Sequence, residues 1–302
     1  MVSNLTREDY MLPMDHPIAI ENIRRHISKS KKFDNLFSAD ELDNIWKQSF
    51  KDHRSARMNR NGTVIISGGL QDIYCQFKSK IDLCLGSLAG QSPVIGGNYF
   101  ITPQQYGLHN DSSRPENYIN SLKRTPIVHE RRKYTSWKNF LLPLWIGTHL
   151  DVVDGGQIAF FDQRHIDWAH VYNGGGLVPN IASVYKICTD YSELQFYNGN
   201  GAAILKQNNK IPFDKEIYNT WMNTPYDRLQ GLSLENVMEW TPGSPMVFDA
   251  VQLHNSNEGS KNLGQKTWNS KMGLLLTYLI ELDEDLLLDW RIEQQTPSTK
   301  FI

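Results

Sequence analysis

Two stretches of this chain carry side chains whose types and spacing can hold a metal ion. In Tyr106-Gly107-Leu108-His109-Asn110-Asp111 an imidazole and a carboxylate stand two positions apart at the end of a strand-like run. Strand side chains alternate between faces, so positions i and i+2 point the same way and His109 and Asp111 can grip one ion from one side. In Met246-Val247-Phe248-Asp249-Ala250-Val251-Gln252-Leu253-His254 an apolar strand delivers a second imidazole. Two imidazoles and one carboxylate on one face of an ion leave its opposite face open to small ligands. The rest of the chain reads as a scaffold for these three groups.

The elements that must position them change period along the sequence. Residues 1 to about 35 are polar and read as irregular. Ser38-Ala39-Asp40-Glu41 is a capping box, and Leu42, Ile45, Trp46 and Phe50 behind it predict a helix over 39–51. Leu70, Ile73, Tyr74, Phe77, Ile81, Cys84 and Leu85 share one face of a second helix over 70–86, which makes Cys84 a core residue. Thr63–Ser67 reads as a short strand between the helices. From residue 93 strands take over: 93–101, 104–109, 140–146, 157–161, 181–188, 245–254 and 272–280. Gly155-Gly156 turns the chain, and Pro242-Gly243 suits the two central positions of a type II turn. A long loop is expected over 163–180, a short helix over 213–224 and a tail helix over 283–294. Helices followed by about eight short strands predict a mainly β fold with some α: a double-stranded β-helix (jelly roll, cupin-like) buttressed by N-terminal helices. The expected division is an N-terminal extension over 1–92, a β core over 93–282 and a C-terminal helix and tail over 283–302, all in one integrated domain.

Bulk composition narrows the function classes. The chain has 302 residues, 40% hydrophobic and 21% charged, which is the composition of a globular protein with a substantial core. A formal net charge of -2 argues against duplex nucleic acid as a partner. Cys75, Cys84 and Cys188 form no CxxC pair and no even disulfide framework, which points to a reducing compartment. The N-terminus lacks an apolar signal core and no run is long enough to cross a membrane, so a cytoplasmic location is expected.

With these residues in view, the chain resembles the Fe(II)/2-oxoglutarate-dependent oxygenases, including phytanoyl- and prolyl-hydroxylase-like members. The matching features are His109-Asn110-Asp111, the Pro-Gly turn leading into Met246–Asp249, His254, and a basic residue opening the next strand at Lys271-Met272-Gly273, together covering roughly residues 94–282. The resemblance implies that His109, Asp111 and His254 hold Fe(II). It also implies that 2-oxoglutarate and O2 are cosubstrates, and that succinate and CO2 are released as an unactivated C–H bond of a small molecule is hydroxylated, desaturated or cyclised. The far carboxylate of 2-oxoglutarate needs a cation and a hydroxyl partner in a partly dry barrel. Lys271 is the first choice for the cation and Lys266 the rival. The family often has Arg-x-Ser where this chain has Lys271-x-Gly273, so Tyr99 or Thr277 would have to supply the hydroxyl. Asp111 itself separates the chain from related halogenases, which carry a small residue at that position.

Several alternatives compete. An ordinary surface hydrogen-bonded pair on a loop is the lesser reading of His109 and Asp111. A second HxD, His165-Ile166-Asp167, is a rival metal site; the first triplet is preferred because it precedes the 140–146 and 157–161 strand pair. Arg114, Trp168 and Tyr172 are weak candidates for substrate contact, with Gly174-Gly175-Gly176 as a hinge. The basic residues Lys123-Arg124 and Arg131-Arg132-Lys133 read as a solvated face or as a greeting for an anionic substrate group. A non-catalytic jelly-roll binding protein for small molecules is the competing function, and a monomer or homodimer the expected state. A zinc hydrolase lacks an evident general base, since H-E-x-x-H is absent.

Overall fold

The computed structural model describes residues 16–49, 51, 56–58, 63–86, 94–102, 108–111, 134–146, 156–165, 183–187, 194–198, 214–221, 226, 232–250, 252–256 and 271–295. Two antiparallel sheets form its centre. The first places strands β1 (Lys31–Lys32), β2 (Ala56–Met58), β3 (Val64–Ile66), β4 (Val94–Thr102), β5 (Tyr134–Ile146), β10 (Met246–Asp249) and β12 (Lys271–Glu281) in the order β1-β10-β5-β12-β4-β3-β2. The second runs from β11 (Gln252–Ser256) through β6 (Gln157–His165) to β7 (Ser183–Ile187) and β8 (Leu194–Asn198), and β9 (Leu234–Glu239) also pairs β6.

The chain crosses repeatedly between the two sheets. β4 lies in the first sheet, and the single bridge at His109 joins β11 in the second. β5 returns to the first, β6 and β9 lie in the second, and β10, β11 and β12 then alternate. That alternation, with two sheets facing each other, is a double-stranded β-helix, or jelly roll.

Strand alternation sorts the side chains into two cores. On β12, Leu274, Leu276, Tyr278 and Ile280 point outward and pack beneath the helices. Leu275 points inward, toward Leu141, Ile158, Phe160, Met238, Trp240, Met246 and Phe248 between the sheets. Lys271, Gly273 and Thr277 share the parity of Leu275 and so its face. The outer core is closed by α2 (Ala39–Ser49) and α3 (Leu70–Leu85), which bury Leu42 and Ile45, and Ile73, Phe77 and Ile81 respectively. The capping box at Ser38 is present: the Ser38 amide donates to Glu41 Oε2 at 2.7 Å and the Glu41 amide to Ser38 Oγ at 3.3 Å. Burial pushes the Cys84 thiol up to about 12, which makes it an inert core residue.

Three expectations are corrected. The stretch before residue 35 is not irregular, since α1 spans Pro17–His26. Its signal is weak because the helix is held by tertiary contact rather than propensity. Ala19 packs on Leu282, just before the C-terminal helix α5 (Glu284–Gln295), and on Leu286 within it, and Asn22 donates to the Glu281 carbonyl and accepts from the Asp283 amide, both at 2.9 Å. The run 245–254 is two strands, since the chain leaves the first sheet after Asp249 and enters the second at Gln252. β6 runs on to His165, beyond the expected start of a loop.

The turn before β10 follows its sequence. Gly243 has φ of 80°, the Ser244 amide donates to the Thr241 carbonyl at 3.1 Å, and the Phe37 carbonyl lies 2.5 Å from where a Cβ would stand. The short helix α4 spans Lys215–Trp221. No described helix is long and apolar enough to cross a membrane.

Candidate metal centre

His109 and His254 face each other across the second sheet. Their backbones exchange both hydrogen bonds, His109 N to His254 O at 2.9 Å and His254 N to His109 O at 2.8 Å. In an antiparallel pair, directly opposed residues project to the same side, and the two imidazole centroids lie 4.2 Å apart. The Asp111 amide donates to the Ala250 carbonyl at 3.0 Å, fixing the carboxylate beside them. All three groups are therefore pinned to the segment that carries the chain from β10 into β11.

Their ligand atoms converge. One donor atom from each of His109, Asp111 and His254 lies within 4.8 Å of the others. Asp111 Oδ1 is 3.7 Å from His109 Nε2 and 3.8 Å from His254 Nε2. Bonds of about 2.1 Å at right angles place neighbouring donors about 3 Å apart, so side-chain shifts of under about 1 Å bring Asp111 Oδ1 to that separation from each imidazole. The Nδ1 of His254 is 3.0 Å from the Gln252 carbonyl; a proton held there leaves Nε2 as the free donor. The aromatic rings of Phe248 and Phe160 flank His254 at centroid distances of 5.2 and 5.5 Å. The three side chains are 12%, 23% and 6% exposed for His109, Asp111 and His254, so the cluster opens on the Asp111 side. Burial pushes the Asp111 carboxyl above its ordinary range, against the opposing pull of His254 and of a hydrogen bond from Asn139. Two imidazoles and a carboxylate are a donor set that fits a borderline-soft divalent ion such as Fe(II).

Lys271 opens β12 on the inward face and is 4% exposed, with Nζ 5.3 Å from the centre of the Trp240 ring. Gly273, two residues on, has no side chain because its space is taken. A Cβ there would meet Phe100 Cζ at 2.6 Å and Trp240 Cη2 at 3.0 Å. The Trp240 indole N–H is buried and has no hydrogen-bond partner among the described residues.

No protein-family profile matches the chain. No curated protein matches it. Solved structures do match in outline. The non-heme alpha ketoglutarate dependent carbocyclase SnoK from nogalamycin biosynthesis aligns over 98% of this chain and 93% of its own, at 8% identity and a TM-score of 0.43. The epimerase SnoN, in complex with Fe3+, alpha ketoglutarate and nogalamycin RO, aligns over 87% and 84% at 9% identity and a TM-score of 0.41. A Pseudomonas putida prolyl-4-hydroxylase aligns over 87% and 98% at 11% identity and a TM-score of 0.36. At such identities the roles of residues have to be read from this chain's own geometry.

That geometry brings together His109, Asp111 and His254 and puts Lys271 and Thr277 on the inward face. It corrects both expectations for the hydroxyl partner. Tyr99 pairs with Leu274 and lies in the outer core under the helices, on the opposite face of the sheet from Lys271. Thr277 faces inward, but its hydroxyl donates to Asn139 Oδ1 at 3.1 Å. Lys266, Arg114, Asp167, Trp168, Tyr172 and the basic stretches at 123–124 and 131–133 lie outside the described residues, as does the side chain of His165.

Asn139, Gln252 and Trp240 were missed from sequence. The signal for the first was available: Lys138-Asn139 is a polar pair leading straight into the buried run Phe140–Leu144. Substitution by serine tests the crowding at Gly273. Gly273→Ser is expected to cost about 1–3 kcal/mol in denaturant unfolding, because the new atoms overpack Phe100 and Trp240. A variant as stable as the parent would show that these rings yield freely.

Proposed function

We propose that this chain is an Fe(II)- and 2-oxoglutarate-dependent oxygenase acting on a small molecule. His109, Asp111 and His254 are the metal ligands and Lys271 is the anchor for the far carboxylate of 2-oxoglutarate. The observation that carries this reading is the convergence of two imidazole Nε2 atoms on one carboxylate oxygen, inside a jelly roll.

The bound metal and cosubstrate supply an oxidant able to abstract hydrogen from an unactivated C–H bond. The protein supplies the rest. Reciprocal backbone bonds between His109 and His254 hold the imidazoles at fixed separation before any ion arrives, which lowers the ordering cost of binding. The Gln252 carbonyl selects the tautomer of His254. Phe160 and Phe248 keep water from the buried flank of that ring. Lys271, desolvated against Trp240, offers a cation where a dicarboxylate needs one. The unpartnered Trp240 N–H is a second donor at that end, in a place where Gly273 offers no hydroxyl.

Anaerobic titration of the apoprotein with Fe(II) and then 2-oxoglutarate tests the reading. A weak visible charge-transfer band from the chelate is expected, and Lys271→Ala is expected to raise the 2-oxoglutarate concentration needed for it by about 100-fold, the loss of a buried charge-assisted pair. Folded parent protein that gives no band refutes the oxygenase reading and leaves the jelly-roll binding protein.

A further inference from the structure

Asn139 is fully buried on β5, where the strand register sets it beside Thr277 of β12 and Phe248 of β10. Both ends of its amide are used. Nδ2 donates to Asp111 Oδ2 at 3.0 Å, and Oδ1 accepts from Thr277 Oγ1 at 3.1 Å. The amide has one tolerable orientation, since a flip would set its carbonyl oxygen against the carboxylate of Asp111. The other carboxylate oxygen, Oδ1, is the one that faces both imidazoles. The two oxygens of Asp111 thus have separate partners.

We infer that Asn139, braced by Thr277, is a positioning residue that restricts Asp111 to one ligating oxygen. This rests on the metal-centre reading above. A carboxylate with both oxygens unrestrained can chelate an ion through both. With two imidazoles it would then fill four of the six positions of an octahedral ion and leave two. A chelating 2-oxo acid would need both of those, which would leave none for dioxygen. The hydrogen bond from Asn139 to Oδ2 engages that oxygen and draws off its charge, so that three positions would stay open on an ion held by Oδ1 and the two imidazoles. Outer partners of this kind orient ligands in metal sites generally.

A purely structural Asn139 would satisfy a buried amide and affect only folding. The two roles separate by measurement. Fe(II) affinity is measured anaerobically for the parent, Asn139→Ala, Thr277→Val and the double variant, alongside thermal unfolding of each apoprotein. The visible absorption of each Co(II)-loaded form reports coordination number.

Asn139→Ala is expected to weaken Fe(II) binding by about 10- to 100-fold and to change the Co(II) spectrum. Thr277→Val is expected to weaken it by roughly 2- to 10-fold, the worth of one neutral hydrogen bond. The double variant is expected to bind no more weakly than Asn139→Ala, because the hydroxyl acts only through the amide, while losses in unfolding temperature accumulate. If Asn139→Ala does not fold, Thr277→Val carries the test alone. Folded variants with the parent's Fe(II) affinity and Co(II) spectrum overturn the inference and leave the triad standing. A parent that binds neither ion overturns the triad, and the role of Asn139 falls with it.

Discussion

Asp111→Ala is expected to abolish Fe(II) binding at micromolar metal and, with it, all oxidation of substrate. Removing an outer partner of a metal ligand costs roughly 10- to 100-fold in affinity, and removing a ligand whose oxygen faces both imidazoles must cost more. Two forces act together. An ion at the proposed site would lose its one anionic donor among the three groups, and the remaining pair of imidazoles would no longer enclose one face. The fold should survive, because Asp111 is at the open side of the cluster and its backbone amide still reaches the Ala250 carbonyl. The expected price of the substitution is an unpaired Asn139 Nδ2, about 1–3 kcal/mol in unfolding free energy. Metal titration beside circular dichroism checks both halves. A folded Asp111→Ala protein that keeps the parent's Fe(II) affinity would move the metal site elsewhere, with His165-Ile166-Asp167 the next place to test.

Lys138→Met is expected to cost roughly 3–5 kcal/mol of stability, the range for breaking a buried ion pair from one side. Lys138 and Asp249 stand opposite each other on β5 and β10, each 2% exposed, and their side chains form an ion pair. The ammonium also donates to Ser28 Oγ at 2.8 Å, tying the segment after α1 to the sheet. Methionine keeps most of the stem's volume and leaves the Asp249 carboxylate buried without its cation. Asp249 is the last residue of β10, next to the Ala250 carbonyl that holds Asp111, so metal affinity should fall with stability. The double variant Lys138→Met/Asp249→Leu should recover most of the loss, because an apolar pair of similar volume replaces a desolvated ion pair at little net cost. Denaturant unfolding of the three proteins reads this directly. If Lys138→Met falls by less than about 1 kcal/mol, the pair behaves as a solvated surface pair and the desolvation account fails.

Much of the scaffold was legible in the sequence because it depends on short-range chemistry. Helices α2 and α3 follow from a capping box and a 3.6-residue apolar stripe. The turn at Gly243 follows from the Pro-Gly order, and β12 from its continuous apolar run. The site's three leading candidates were legible for the same reason: histidine and aspartate at strand spacing announce their types without reference to distant neighbours. Helix α1 was not, since its packing on α5 joins the two ends of the described chain.

By itself, then, the sequence determined most element types, though not α1 or the break between β10 and β11, together with the two-layer β architecture and the side-chain chemistry at residues 109, 111 and 254. The tertiary structure decided what each donor faces. Only pairing across strands distant in sequence could set His109 opposite His254, send Tyr99 to the helix side while Lys271 faces inward, and lay Asn139 between Thr277 and Asp111. The reason is physical. A one-residue difference in register reverses the face of every side chain on a strand, and register is set by long-range pairing that no local window contains.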